Sequence, residues 1–236
     1  MQGSNKLKAC TGSLPGICAM LAFAAAPLWS DAADQARQSN PGEPALAAIP
    51  AGSYTLDKAH ASLIFRVNHL GFSHFTGRFT HFDAQLQFDP ATPATSRVQV
   101  SIDPRSIASD NPPEGFMDQL RGAQWLNAVQ FPRMTFVSTR VEPNGPKGLQ
   151  IRGELTLHGV TRPVVLEATF NGGYAGHPMD PHARIGFSAH GVLRRSEFGI
   201  AYGIPAPGST MGVSDGVEVQ LELEFSGPPL AARPAP

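Results

Sequence analysis

Val217-Glu218-Val219-Gln220-Leu221-Glu222-Leu223-Glu224-Phe225 is the stretch that decides the fold class, because five apolar residues alternate without a break with four polar ones. Successive side chains point to opposite faces of a strand, so this segment has one dry face and one wet face. The same period recurs upstream. Leu63, Phe65 and Val67 alternate with Ile64, Arg66 and Asn68, and Val98, Val100 and Ile102 with Arg97, Gln99 and Ser101. Leu149, Ile151, Leu155 and Leu157 share one parity, as do Ile185, Phe187, Ala189 and Leu193. These are half-buried strands.

Phe72 to Phe88 reads as a long strand with a fault. Phe75 and Phe79 have odd parity, whereas Phe82, Ala84, Leu86 and Phe88 have even parity. A one-residue slip near Thr80-His81 accounts for the change, as in a β-bulge. One segment departs from the β pattern. Phe116, Leu120, Ala123 and Leu126 follow helical spacing after Pro112-Pro113, which predicts a helix of about three turns over Phe116–Ala128. The sum is an all-β, antiparallel domain of about eight strands with one inserted α-helix. A closed barrel and a two-layer sandwich both fit that count.

The chain has 236 residues, 42% of them hydrophobic, with 24 glycines and 22 prolines, which suits a loop-rich β protein. A net charge of -1 offers no basic footprint for nucleic acid and no polybasic patch for a membrane surface. Lys6 and Lys8 precede an apolar, alanine-rich run from Leu14 to Trp29, which is short for a membrane span. With the small residues of Ser30-Asp31-Ala32 it reads as a signal peptide, residues 1–32, cleaved after Ala32 and directing the chain to the periplasm. Cleavage after Ala26 and retention as an anchor are the alternatives. Cys10 and Cys18, the only cysteines, both lie in that segment. The mature chain would have no thiol chemistry and no stable membrane anchor. Residues 33–50 read as a flexible leader, 51–226 as one domain and 227–236 as a loose Pro/Ala-rich tail.

No catalytic constellation is apparent, since phosphate-loop and HExxH patterns are both absent. His60, His69, His74 and His81 fall close together, but around a turn and a parity change, so no metal site and no cofactor are expected. Asp57 and His60 are read as turn residues in preference to ligand contacts. Arg195 could grip a phosphate or pair with Glu197 or a strand-edge carboxylate.

Six motifs in order make the domain resemble the YceI family of lipocalin-like polyisoprenoid-binding proteins. They are Tyr54-Thr55-Leu56-Asp57-Lys58-Ala59-His60, Phe65 to Gly71, Gly77-Arg78-Phe79 with Phe82, Phe131-Pro132 to Phe136, Gly153 to Val164, and Arg195-Ser196-Glu197-Phe198-Gly199. The resemblance implies a lipocalin-like barrel with a long interior channel, a polyprenyl phosphate or quinone as its ligand, and a periplasmic carrier that is not an enzyme. An accessory protein or enzyme acting on a quinone is the alternative. Many members carry Arg-Asp-x-His-Leu at the helix start; here Phe116-Met117-Asp118-Gln119-Leu120 lacks the Arg and the His.

Burial of one CH₂ group is worth about 0.8 kcal/mol, so two or three prenyl units in a dry channel contribute about 8 kcal/mol or more before ordering costs. The residues expected on the channel wall are Phe65, Val67, Phe75, Phe79, Met134, Phe136, Leu155, Leu157, Leu166 and Phe187, with Leu120 and Trp125 from the helix. Phe198 and Tyr202 are expected at the mouth. The competing reading for each apolar residue is plain core filling. Exposed strand edges leave room for a homodimer.

Overall fold

The computed structural model describes residues 49–230, so the signal segment 1–32, most of the expected leader and residues 231–236 lie outside it. Eleven strands occur among the described residues: β1 Gly52–Leu56, β2 Ser62–His69, β3 Ser73–Phe79, β4 Phe82–Phe88, β5 Arg97–Ile102, β6 Ile107–Ala108, β7 Met134–Pro143, β8 Gly148–Leu157, β9 Val160–Tyr174, β10 His182–Arg194 and β11 Val213–Pro229. The sheet order is β1-β4-β5-β7-β8-β9-β10-β11-β2-β3-β6, with β1 pairing back onto β11.

Six of the strands are halves of longer runs. Both β1 and β2 pair with β11, β4 pairs with β1 and β3 with β2, and β5 and β6 pair with β4 and β3. Eight antiparallel runs therefore follow one another up and down, and the last closes on the first. Closure removes the free edges that a sandwich would keep. This settles the choice between barrel and sandwich.

Each half-and-half run breaks for a local reason. Asp57 caps the 3₁₀ turn Lys58–His60 between β1 and β2. Pro104 opens another, Pro104–Ser106, between β5 and β6. The fault expected near Thr80-His81 is present, and it lies opposite that second turn. The Thr80 amide donates to the Ser106 carbonyl (3.2 Å) and the His81 amide to Ser106 Oγ (3.1 Å). Gly77 above the break and Ala84, Leu86 and Phe88 below it are all buried despite their opposite parity.

Four connections gather at what we call the upper end: residues 70–72, 109–133, 158–159 and 195–212. The two tight ones need positive φ, met by Leu70 (57°) with Gly71 (75°) and by His158 (53°) with Gly159 (76°).

The helix is shorter than expected. α1 spans only Phe116–Arg121, and Gly122 leaves it with extended ψ. The chain then continues in turns, with the Leu126 amide on the Leu120 carbonyl. Both ends of the expected domain also move outward. Ile49, placed in the leader, is 1% exposed, and the Pro50 carbonyl accepts the Tyr54 hydroxyl (2.6 Å). Burial in the core pushes the Tyr54 phenol up to about 12. At the other end β11 runs three residues past 226. Gly227 permits it, because a Cβ there would lie 2.0 Å from the Tyr54 ring. Tyr54, Phe88, Phe170, Ile185 and Phe225 are among the side chains buried in the lower barrel.

Candidate functional site

The upper barrel is hollow. A cavity of about 580 Å³ lies there, within the range of small-molecule sites. Leu63, Phe65 and Val67 on β2, Phe75 and Phe79 on β3, Met134 and Phe136 on β7, Leu155 and Leu157 on β8, Val164 and Leu166 on β9, and Val217, Val219 and Leu221 on β11 form its wall. Leu120, Trp125 and Leu126 come over it from the helical segment. Strand alternation places these side chains inward while Arg66, Glu218 and Gln220 face out.

Two glycines shape the wall. The Phe65 ring lies on Gly77, where a Cβ would be 2.4 Å from Phe65 Cζ, and the Phe136 ring lies on Gly153 in the same manner at 2.4 Å. Both glycines belong to motifs read from the sequence. Phe65 also meets Phe79 (5.6 Å between centroids) and Phe75 (6.2 Å), and Phe75 meets Phe116 edge-on (5.6 Å).

Eleven of the fourteen expected site residues line this cavity: Phe65, Val67, Phe75, Phe79, Leu120, Trp125, Met134, Phe136, Leu155, Leu157 and Leu166. Three do not. Phe187 lies lower in the barrel, beside Phe170 and Phe225. Phe198 is 1% exposed and part of the packed core, because the 3₁₀ turn Arg195–Phe198 draws it beneath the loop. Tyr202 is at the upper end but is not part of the lining; its ring packs edge-on against the Trp125 indole, 5.6 Å between centroids. The missed wall residues Leu63, Leu193, Val217, Val219 and Leu221 share the parity of their strands' inward face, so alternation alone could have found them.

The polar groups of the wall are few. His69, Ser73, Asp110 and Asn111 stand at the mouth, and Asp110 accepts from Arg78 Nη1 (2.9 Å). Arg195 is 4% exposed and reaches the wall from within. It pairs with neither Glu197 nor a strand-edge carboxylate. Instead it donates to the carbonyls of Ser214 (2.9 Å), Ile200 (3.0 Å), Tyr202 (2.8 Å) and Val213 (2.8 Å). Burial lowers the pKa of its guanidinium, and the ion still sits 5.1 Å from the Trp125 ring centre. Two wall groups are unpaired: Trp125 Nε1 and Ser109 Oγ are buried without a hydrogen-bond partner. On the rim, Phe72, Val129 and Met211 are exposed apolar side chains.

A model of the YceI-like domain matches residues 54–225. The chain belongs to the YceI family. A UPF0312 protein of Vibrio cholerae is 38% identical over 179 residues, which is 75% of this chain and 88% of that protein. Among solved structures, BcnA of Burkholderia cenocepacia has a TM-score of 0.61 at 27% identity, covering 72% of this chain and 98% of its own. A polyisoprenoid binding domain from Saccharophagus degradans, at 16% identity and a TM-score of 0.53, covers 74% of this chain and 98% of its own and shares the fold.

The opening YceI motif is a structural device in this chain. Asp57 accepts the Ala59 amide (3.1 Å), as expected of a turn, and also Arg184 Nη1 (2.6 Å) and His60 Nδ1 (3.0 Å). Glu224 on β11 is 3.9 Å from His60, so the cluster ties β1, β10 and β11 together where the barrel closes. The ligand atoms of Asp57, His60 and Glu224 lie within 4.8 Å of one another, and the Arg184 guanidinium pairs with Asp57 among them and with Asp180.

The His60 hydrogen bond, opposed by partial burial and reinforced by Arg184 and the Ala59 amide, holds the Asp57 carboxyl down at about 2. Asp57 in turn raises the pKa of His60. A depressed carboxyl contributes stability above its unfolded pKa and loses it as pH falls through the folded value. A raised imidazole contributes below about 6.5 and loses that as pH rises through its folded value. Asp57→Asn is expected to cost about 1–2 kcal/mol near pH 5 to 6. Thermal denaturation across pH should show this gap narrowing between about pH 4 and pH 2, and narrowing again on the alkaline side. A gap constant over that whole range would contradict the ion-pair account.

Proposed function

We propose that this YceI-family domain is a non-catalytic periplasmic carrier that encloses the tail of an isoprenoid lipid in the upper barrel and holds a quinone-type head near its mouth. The observation that carries this reading is the apolar cavity of about 580 Å³ inside the closed β-barrel. A cavity lined mainly by Phe, Leu, Met and Val offers a polar substrate few bonds, and each CH₂ that enters is worth about 0.8 kcal/mol. The polyisoprenoid binding domain of Saccharophagus degradans lends its fold to the same reading. Export is supported by Lys6, Lys8, the apolar run that follows and the small residues ending at Ala32.

The wall chemistry favours a neutral oxygen over a phosphate. A phosphate calls for a cation with donors to spare. Arg195 commits four of its five N–H donors to backbone carbonyls, and the Asp110 carboxylate at the mouth already engages Arg78. A carbonyl oxygen needs only one or two neutral donors, and Trp125 and Ser109 in the wall carry an N–H and a hydroxyl that no protein group satisfies. Each such buried group left unpaired costs about 1–3 kcal/mol, which an acceptor on the ligand would relieve.

The test is native mass spectrometry of the exported protein after incubation with vesicles carrying a long-tailed quinone or the matching prenyl phosphate. The intact mass should begin at Ala33, with the quinone bound in preference to the phosphate. Trp125→Phe should weaken quinone binding about tenfold and leave uptake of squalene, which has no head, unchanged. A bare chain after exposure to every one of these lipids would overturn the carrier reading. Preference for the phosphate would overturn the assignment of the head.

A further inference from the structure

Below the main cavity lies a second one, of about 160 Å³, that reaches down to the β7–β8 turn. The two are stacked in one barrel and share four wall residues, Val100, Phe136, Leu166 and Leu221. These come from β5, β7, β9 and β11, so they form a layer of side chains around the barrel at the level where the two compartments adjoin. Phe136 is the bulkiest of the four. Its ring is pinned flat against Gly153, which leaves no room for a Cβ beneath it, and the residue is 5% exposed.

We infer that this layer, with Phe136 as its principal member, is a molecular ruler that ends the lipid tail and so selects its length. The inference rests on the isoprenoid reading above. An apolar protein cavity of about 150 Å³ stays dry and admits a six-carbon ring, so the lower compartment matches about one five-carbon prenyl unit and the upper one about three or four. A tail entering from the mouth fills the upper compartment and stops at Phe136. Longer tails leave their surplus units in water.

The experiment measures affinity along a series of all-trans prenyl alcohols from farnesol through geranylgeraniol to solanesol. For the wild type, affinity should rise with each added unit and then level off. Phe136→Ala should join the compartments and move the plateau to longer tails by one or two units, with about a tenfold gain for the first homologue beyond the wild-type limit. Leu166→Ala, at a half-buried position, removes a smaller part of the layer and should give a smaller shift in the same direction; it serves if Phe136→Ala does not fold. Ala168 lines only the lower compartment. Ala168→Leu should leave the wild-type plateau in place and cancel the gain in the Phe136→Ala background. Affinity that keeps rising to solanesol in the wild type, or a plateau unmoved by both openings, would overturn the ruler and leave the carrier reading standing. Failure of farnesol and every longer member to bind would instead count against the carrier reading.

Discussion

Leu155→Trp should abolish isoprenoid uptake and leave the barrel folded. Leu155 stands on β8 in the wall of the main cavity, in register with Phe136 on β7. An indole at that position projects into open space, so the strain of overpacking a filled core does not arise. It does displace most of a prenyl unit and narrows the path for the rest. Losing even four or five CH₂ contacts at about 0.8 kcal/mol each lowers affinity by more than a hundredfold. The melting temperature should stay within a few degrees of the wild type, because the new ring recovers apolar contact that the hollow lacks. Binding by the vesicle assay and Tm by calorimetry read the two effects separately. A steep fall in Tm with lipid uptake preserved would mean that the wall is a packed core and that the ligand sits elsewhere.

The second large effect concerns the upper rim. Arg195→Leu removes the donor that holds four carbonyls, from Ile200, Tyr202, Val213 and Ser214, and so frees the loop that leads into β11. Hydrogen bonds from a charged donor are worth about 1.5–3 kcal/mol each, and water entering the opened loop recovers part of that. A net cost of about 4 kcal/mol is expected, lowering Tm by about 8–16 °C in a domain of this size. Arg195→Lys should recover little, since one ammonium cannot span carbonyls on both sides of the loop. Limited proteolysis should find new cleavage between Ile200 and Val213 in both variants. An unchanged Tm and cleavage pattern would show that the loop holds without this residue.

Several parts of this molecule were legible before any coordinates. The inward face of each strand could be read from parity, since a strand half in water must alternate. The fault at Thr80-His81 showed as a change of that parity, and the structure adds only its partner, the turn at Pro104–Ser106. The nine expected wall residues that stand on strands face one cavity for the same reason. Phe187 was misplaced because parity reports the face of a strand and not the height along it. It points inward, but below the layer where the two compartments adjoin. Phe198 escaped because a 3₁₀ turn has no period-2 pattern to follow. The helix was overextended because apolar spacing continued past Gly122 while the backbone did not.

Arg195 illustrates a different limit. Its sequence neighbours offered Glu197 as a partner, yet the side chain crosses to carbonyls of residues 200 to 214, whose positions depend on the loop's path. The two unpaired donors, Trp125 Nε1 and Ser109 Oγ, are likewise a property of an enclosed space. A chain alone states which atoms can donate, but not which are left without an acceptor.

The amino-acid sequence alone determined the β class, the faces of the strands, the family and the apolar character of the interior, because each depends on residue type and spacing along one strand. Tertiary structure alone decided that the eight runs close, that the larger cavity lies in the upper barrel and only a small one below it, and that Phe136 stands between the two. Those outcomes depend on side chains from different strands arriving at the same height, and height is set by pairing register around the closed barrel.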